Sequence, residues 1–252
     1  MLGGMPTLTG GIPLAWSESD RTEIPIMKFT YYGHSCFSVL AAGKTLLFDP
    51  FVTGNQLARA IDVDRIEADF IFVSHGHFDH TSDAARIAKR TGAKVLGNWE
   101  IFDWLKKGGL ENVHPINPGG QFTFDFGTVN SFAAQHSSSL PDGAYGGVAC
   151  GFAFQTPDGA FYYSGDTALS MDMQLVREWA TLDFAVLPIG DGLTMGVMDA
   201  IKAARWVGVN KVVGVHYDTF DFIKIDHRAA VKSFDEAGMT LHLLDIGSVI
   251  EI

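Results

Sequence analysis

Three imidazoles and one carboxylate fall within six residues at His75-Gly76-His77-Phe78-Asp79-His80, directly behind the apolar run Ile71-Phe72-Val73. A packed core has no use for that density of polar rings, because each buried imidazole needs a partner for both nitrogens. A bound metal ion meets one nitrogen and an outlying acceptor meets the other. A solvated loop that is merely rich in His fits poorly behind so clean a strand. Further ligands are expected where other β-like runs end, since sites in helix-flanked sheets lie beyond the carboxyl ends of strands. His136 follows Val129–Ala134, Asp166 follows Phe161–Gly165 and His216 follows Lys211–Val215. With His75, His77, Asp79 and His80 they make five His and two Asp, too many for one tetrahedral ion and suited to two. A shared carboxylate would let two ions sit about 3.5–4 Å apart around one water. His34 stands in a hairpin turn and is a further candidate. His114, His227 and His242 read as surface or structurally satisfied residues. Asp49, Asp191 and Asp218 also follow strand-like runs and read as turn formers or outlying support.

The elements that must position these residues come in two similar sets. In the first, strands are expected at Lys28–Tyr32, Cys36–Ala41, Lys44–Asp49 and Phe70–Ser74, with Gly33 and Gly43 as turns, which makes the opening strands antiparallel hairpins. A helix from about Ser82 to Arg90, a strand Lys94–Gly97 and a helix near Glu100–Lys107 follow, then β-like runs at Asn112–Ile116, Gln121–Asp125 and Thr128–Ala134. The second set has strands Val148–Gln155, Phe161–Ser164, Phe184–Leu187, Lys211–Val215, Leu241–Leu244 and Val249–Ile252. Its helices are Met171–Trp179, Met198–Val207 and His227–Glu236. Hairpins first, then strands alternating with helices, predict an α+β fold of two mixed sheets packed face to face with helices on both outer faces. No Pro- or Ser-rich linker separates the halves, so residues 27–252 are expected to form one domain. Residues 1–26 are set apart as an N-terminal extension or a mis-assigned start.

Composition narrows the partners. The chain has 18 Lys+Arg against 29 Asp+Glu, a net charge of −11, and only scattered basic pairs such as Lys106-Lys107, which disfavours nucleic acid and anionic membranes. No apolar run approaches the roughly 18 residues of a membrane span. The first residues lack a basic residue before Arg21 and are broken by Gly and Pro, unlike a signal peptide. Cys36 and Cys150 each lie in an apolar run and read as buried free thiols, so a cytoplasmic protein is expected. Gly makes up 28 of 252 residues, about 11% against a usual value of roughly 7%, which implies many tight turns.

The His75-x-His77-x-Asp79-His80 pattern resembles the hallmark of the metallo-β-lactamase superfamily. Within it, the sequence is most similar to metal-dependent hydrolases related to the L-ascorbate-6-phosphate lactonase-like branch. The resemblance spans about 27–252 through Gly33-His34-Ser35, Phe48-Asp49-Pro50-Phe51, Gly165-Asp166-Thr167-Ala168-Leu169, Leu187-Pro188-Ile189-Gly190-Asp191 with Thr194-Met195-Gly196, and Val215-His216-Tyr217. It implies an αββα sandwich with the metal site at one edge of the two sheets. It also implies that His75, His77 and His136 hold a first ion, that Asp79, His80 and His216 hold a second, and that Asp166 bridges them. The sequence departs from the family pattern at Val197-Met198, where Pro and Glu are more usual, and at Asp218 and Asp221, where Asn and Pro are expected. Substrate preference is therefore not carried over.

The reaction expected is hydrolysis of a small ester, lactone or phosphoester by hydroxide activated at a dinuclear centre. Asp79 would orient the hydroxide or take up its proton, and His34 or a water would protonate the leaving group. The ions expected are zinc first, then manganese or iron, since no thiolate biases the site towards a softer metal. Two dications would locally offset the acidity, so an anionic small substrate is admissible, as is a homo-oligomer. A phosphodiesterase or nuclease is the alternative enzyme, which the acidic charge and the lack of a basic arm disfavour. A non-catalytic metal-binding or sensor protein is the third reading.

Overall fold

The computed structural model describes residues 26–252; the expectation for the 1–26 extension lies outside the described residues except at Ile26. The chain opens with β1 (Lys28–Gly33), β2 (Cys36–Ala41) and β3 (Lys44–Phe48). Gly33 at φ 105° and Gly43 at φ 70° let the chain reverse within two residues, and the three strands pair antiparallel as expected. Beyond β3 the connections become crossovers, because parallel neighbours need a long return. β4 (Phe70–Phe72), β5 (Lys94–Gly97) and β6 (Val113–Pro115) add in parallel, with α1 (Phe78–Thr81), α2 (Ala84–Thr91) and α3 (Trp99–Lys107) between them.

The second sheet repeats the plan. β7 (Gln121–Phe124), β8 (Gly127–Ala133), β9 (Cys150–Thr156) and β10 (Gly159–Tyr163) are antiparallel; β11 (Phe184–Pro188), β12 (Lys211–Val215) and β13 (Thr240–His242) continue in parallel. Their crossover helices are α4 (Met173–Trp179), α5 (Val197–Val207) and α6 (His227–Glu236). The last strand, β14 (Val249–Glu251), departs from the sequence reading, which left it with the second set. It crosses to the first sheet and pairs antiparallel with β1, Thr30 opposite Val249, covering what would be an open edge. The two seven-stranded orders are β14-β1-β2-β3-β4-β5-β6 and β13-β12-β11-β10-β9-β8-β7.

Period-2 alternation sorts the strand residues into layers. Phe37, Phe48, Phe72, Phe152, Phe154, Phe161, Tyr163 and Phe184 turn inwards and form one buried cluster between the sheets. Their intervening neighbours Leu47 and Ile71 face one helical layer, and Ala153, Tyr162, Ala185 and Val212 face the other. The inner layer is a continuous aromatic stack: Phe48 lies 4.5 Å from Phe37 and 5.4 Å edge-on to Phe154 across the sheets. Each such pair adds about 0.5–1.5 kcal/mol beyond its burial. The helices cover the outside with narrow apolar faces; α5 buries Ala200, Ile201, Ala203, Ala204 and Val207 and stops at Gly208 in the left-handed region. The result is the expected αββα sandwich.

The helical turn α1 was not anticipated from the sequence. Its residues carry polar side chains turned inwards, Asp79 and His80 both buried, so the apolar periodicity that announces a helix is missing.

Candidate metal centre

Strand ends from both sheets meet at one edge of the sandwich. His75 lies three residues past β4, His136 three past β8 and Asp166 three past β10; His34 and His216 directly follow β1 and β12. His34 at φ 56° and His216 at φ 55° are both left-handed, a conformation that costs a residue with a Cβ of order 1 kcal/mol and is held by the surroundings. A hydrogen bond from the His216 amide to the His34 carbonyl, 3.0 Å, ties the sheets together there, and another runs from Cys150 N to Ser74 O at 2.9 Å. Gly165, at φ 61°, allows this closeness: a Cβ on it would stand 2.6 Å from the Cys150 carbonyl oxygen and 2.8 Å from Ser74 Cβ.

The convergent side chains form two adjoining groups. In one, His75, His77 and His136 present nitrogens within 4.8 Å of one another, and His75 Nε2 faces His77 Nδ1 at 2.9 Å. In the other, His34, Asp79, His80 and His216 converge in the same way. Asp166 stands between them. Its Oδ2 lies 2.9 Å from His216 Nε2, 3.2 Å from His80 Nε2 and 3.7 Å from His136 Nε2. All seven sequence-derived ligand candidates, and His34, are therefore brought together.

Neighbours orient the rings. Asp49, fully buried, accepts from Ser74 N at 2.7 Å, Ser74 Oγ at 2.5 Å, Tyr163 OH at 2.5 Å and His80 Nδ1 at 2.7 Å. Donation from Nδ1 to Asp49 leaves His80 Nε2 as the outward nitrogen, the arrangement in which a carboxylate fixes the tautomer of a ligating imidazole. Ser74 Oγ meets His75 Nδ1 at 2.9 Å and does the same for that ring. His34 is held at both nitrogens, Nε2 by Asp79 Oδ2 at 3.1 Å and Nδ1 by Thr219 Oγ1 at 3.0 Å.

Burial and neighbouring charge set the protonation states. Burial, reinforced by His216, pushes His34 down to about 4. Burial also lowers His75, His77 and His136, keeping those rings neutral and able to offer lone pairs. Burial would raise Asp166, but the facing His216 and His80 hold it well below the usual carboxylate range. Asp79 is likewise held down against its burial, by His34 and His80. His80 runs the other way: burial would lower it, but Asp166 and Asp49 hold it well above the usual imidazole range.

The residues fit divalent cations on a local observation. His80 Nε2, His216 Nδ1 and Asp166 Oδ1 are buried with no hydrogen-bond partner, and buried polar atoms are seldom left so. All three belong to side chains that meet at the junction of the groups. Asp218 and Asp191 take the supporting and turn roles expected of them, whereas His114 is not a satisfied histidine, its Nδ1 being buried with no hydrogen-bond partner. Asp218 accepts from Ile225 N and His227 Nε2, Asp191 accepts from Gly192 N in a turn, and His114 packs against Phe122. Ser74, Tyr163 and Thr219 were not anticipated; none has a sequence signal, because each acts through a partner distant in the chain. Cys36 and Cys150 are free and buried. No helix among the described residues is long and apolar enough to cross a membrane.

Residues 44–217 match the model of the beta-lactamase superfamily domain. A metal-dependent hydrolase of the UPF0173 group from Methylacidiphilum infernorum is 50% identical over 220 residues, covering 87% of this chain and 97% of that protein. A second from Christiangramia forsetii is 47% identical over 227 residues, covering 90% and 100%. Among solved structures, Igni18, described as a metallo hydrolase from the archaeon Ignicoccus hospitalis, superposes with a TM-score of 0.81 at 30% identity, covering 90% of this chain and 98% of that one.

Proposed function

This chain belongs to the metallo-β-lactamase superfamily, among metal-dependent hydrolases, and from that premise we propose that it hydrolyses a small ester, lactone or phosphoester at a dinuclear metal centre. The observation that carries the dinuclear reading is the position of Asp166, whose Oδ2 reaches His80 and His216 on one side and His136 on the other. His75, His77 and His136 would hold one ion, Asp79, His80 and His216 the other, with Asp166 shared. Divalent ions held there would supply Lewis acidity and lower the pKa of a water at the site. A donor set of imidazoles and carboxylates suits zinc, and also manganese or iron.

The protein's own groups then divide the work. Asp79 Oδ2 lies 3.7 Å from His80 Nε2 and 4.0 Å from His216 Nε2, so it faces the same space as the ligand nitrogens and is placed to orient the attacking water or accept its proton. His34 is assigned to holding Asp79 rather than to protonating the leaving group. Both of its nitrogens are engaged, and burial keeps it neutral at ordinary pH. Asp49 keeps the His80 ring aimed. Two buried free thiols agree with a reducing, cytoplasmic setting.

The test is metal analysis of the purified protein coupled to a screen of lactones, carboxylic and thioesters, and phosphodiesters. Two ions per chain with turnover of a small ester or lactone is expected. A single ion would end the dinuclear reading. Two ions with no turnover of any ester class would favour a metal-binding or sensor role, and preference for long nucleic acid would favour the nuclease.

A further inference from the structure

The segment that carries Asp49 and the helical turn that carries Asp79 and His80 are joined a second time, away from the rings. Asp83 stands three residues after His80, at the position that ordinarily caps a helix, yet its side chain makes no bond to the first turn of α2. The carboxylate turns instead to the segment that follows Asp49. Its Oδ2 accepts from Val52 N at 2.7 Å and Thr53 N at 2.9 Å, and its Oδ1 accepts from Thr53 Oγ1 at 2.6 Å. The Asp83 amide donates to the Pro50 carbonyl at 3.0 Å, so the two segments are laced in both directions.

Asp83 is 3% exposed, and these three donors are all neutral. Burying a carboxylate against neutral donors is a costly way to close a turn. What the turn holds accounts for the cost. Immediately before the laced stretch stands Asp49, left-handed at φ 38°, a conformation that its surroundings must hold. Its Oδ2 has to meet His80 Nδ1 at 2.7 Å, although the two residues are 31 positions apart in the chain. Within the stretch, Phe51 is buried and packs edge-on to His34 at 5.6 Å. Asp83 therefore fixes the spacing of the two backbones whose side chains meet at the His80–Asp49 bond.

We propose that Asp83 is a positioning residue that acts through Asp49 on His80. It holds the Pro50–Thr53 segment in place, so that the Asp49 carboxylate meets the His80 ring and keeps its Nε2 aimed into the metal centre. The inference rests on the assignment of His80 as a ligand and is independent of the substrate.

The His80 Nδ1 proton is the reporter, because it lies in the bond that Asp83 holds in place and is followed by NMR in metal-free protein, with no turnover needed. His80→Gln identifies its resonance by loss. In D83A its exchange with solvent is expected to quicken at least about tenfold, and zinc affinity, read by chelator competition, to fall about tenfold, the lower end for a partner behind a ligand. D83N restores both to within about threefold of native, since its amide oxygen can accept from both backbone N–H groups and its NH2 can donate to Thr53 Oγ1. T53V removes one of the three bonds and falls between D83A and native. Ile201→Ala, buried in the other helical layer, lowers Tm and leaves both readouts at native values. Native exchange and zinc affinity in a folded D83A overturn the proposal. Equal changes in D83A and I201A at equal loss of Tm also overturn it, because they reduce Asp83 to a folding residue. Should D83A fail to fold, T53V decides, and native exchange there overturns the proposal. The expected shifts in a protein that binds zinc but hydrolyses no ester support the role of Asp83 and overturn the hydrolase reading.

Discussion

His75, His77 and His136 present imidazoles alone, with His77 and His136 half-buried, whereas Asp79, His80 and His216 mix carboxylate with imidazole and are all buried. The first group is built largely from one short loop plus one strand end. The second depends more heavily on partners: Asp49, itself held by Tyr163 and Ser74, behind His80, and Thr219 behind His34, whereas the first has Ser74 behind His75. The difference follows from burial. A half-buried neutral ring can complete its hydrogen bonding with water, but a buried carboxylate beside buried rings needs every remaining donor and acceptor matched. The second group should therefore be the one in which a substitution outside the ligands is felt most.

Three substitutions test that contrast. Asp166→Asn strikes the shared oxygen and has the largest expected effect: one ion lost and turnover down by more than the ~100-fold expected for an outlying partner, read by metal analysis and kinetics together. Full activity with two ions retained would remove the bridge and with it the coupling of the two groups. Next is Asp49→Asn, which keeps the volume and suits a residue at φ 38° but loses the charge that His80, Ser74 and Tyr163 address. Metal affinity or turnover should fall about 10- to 100-fold, with the larger loss in a stepwise metal titration at the ion held by His80, which Asp49 touches directly, and a smaller one at the ion held by His75, which it reaches through Ser74. Equal weakening of both ions would show that the groups are not separately supported. The smallest effect belongs to His34→Ala, which frees Asp79 without removing an assigned ligand. A fall of about tenfold in kcat is expected, with two ions retained and the pH profile displaced as Asp79 loses its partner. A variant that instead loses the second ion would make His34 a ligand.

Much of the site was legible before any folding was considered. The spacing at His75–His80 puts a strand end and three imidazoles together, and that local chemistry favours a metal site over a solvated loop. Asking which other His and Asp residues close a β-like run then finds His136, Asp166 and His216, because in this sandwich strand ends from both sheets point to one edge. The same scan reached Asp49 but left it as a turn former or outlying support. It could not see that His80, Ser74 and Tyr163 share it, since those partners lie up to 114 positions away in the chain.

The fold divides along the same line. Alternation of inner and outer residues, tight Gly turns and apolar helix faces are local properties, and they determine two mixed sheets with outer helices. The placement of β14 against β1 and the meeting of His216 with His34 are decided only by tertiary structure. Each joins segments far apart in the chain through register, twist and side-chain direction, and a residue's type does not record which distant strand will end beside it.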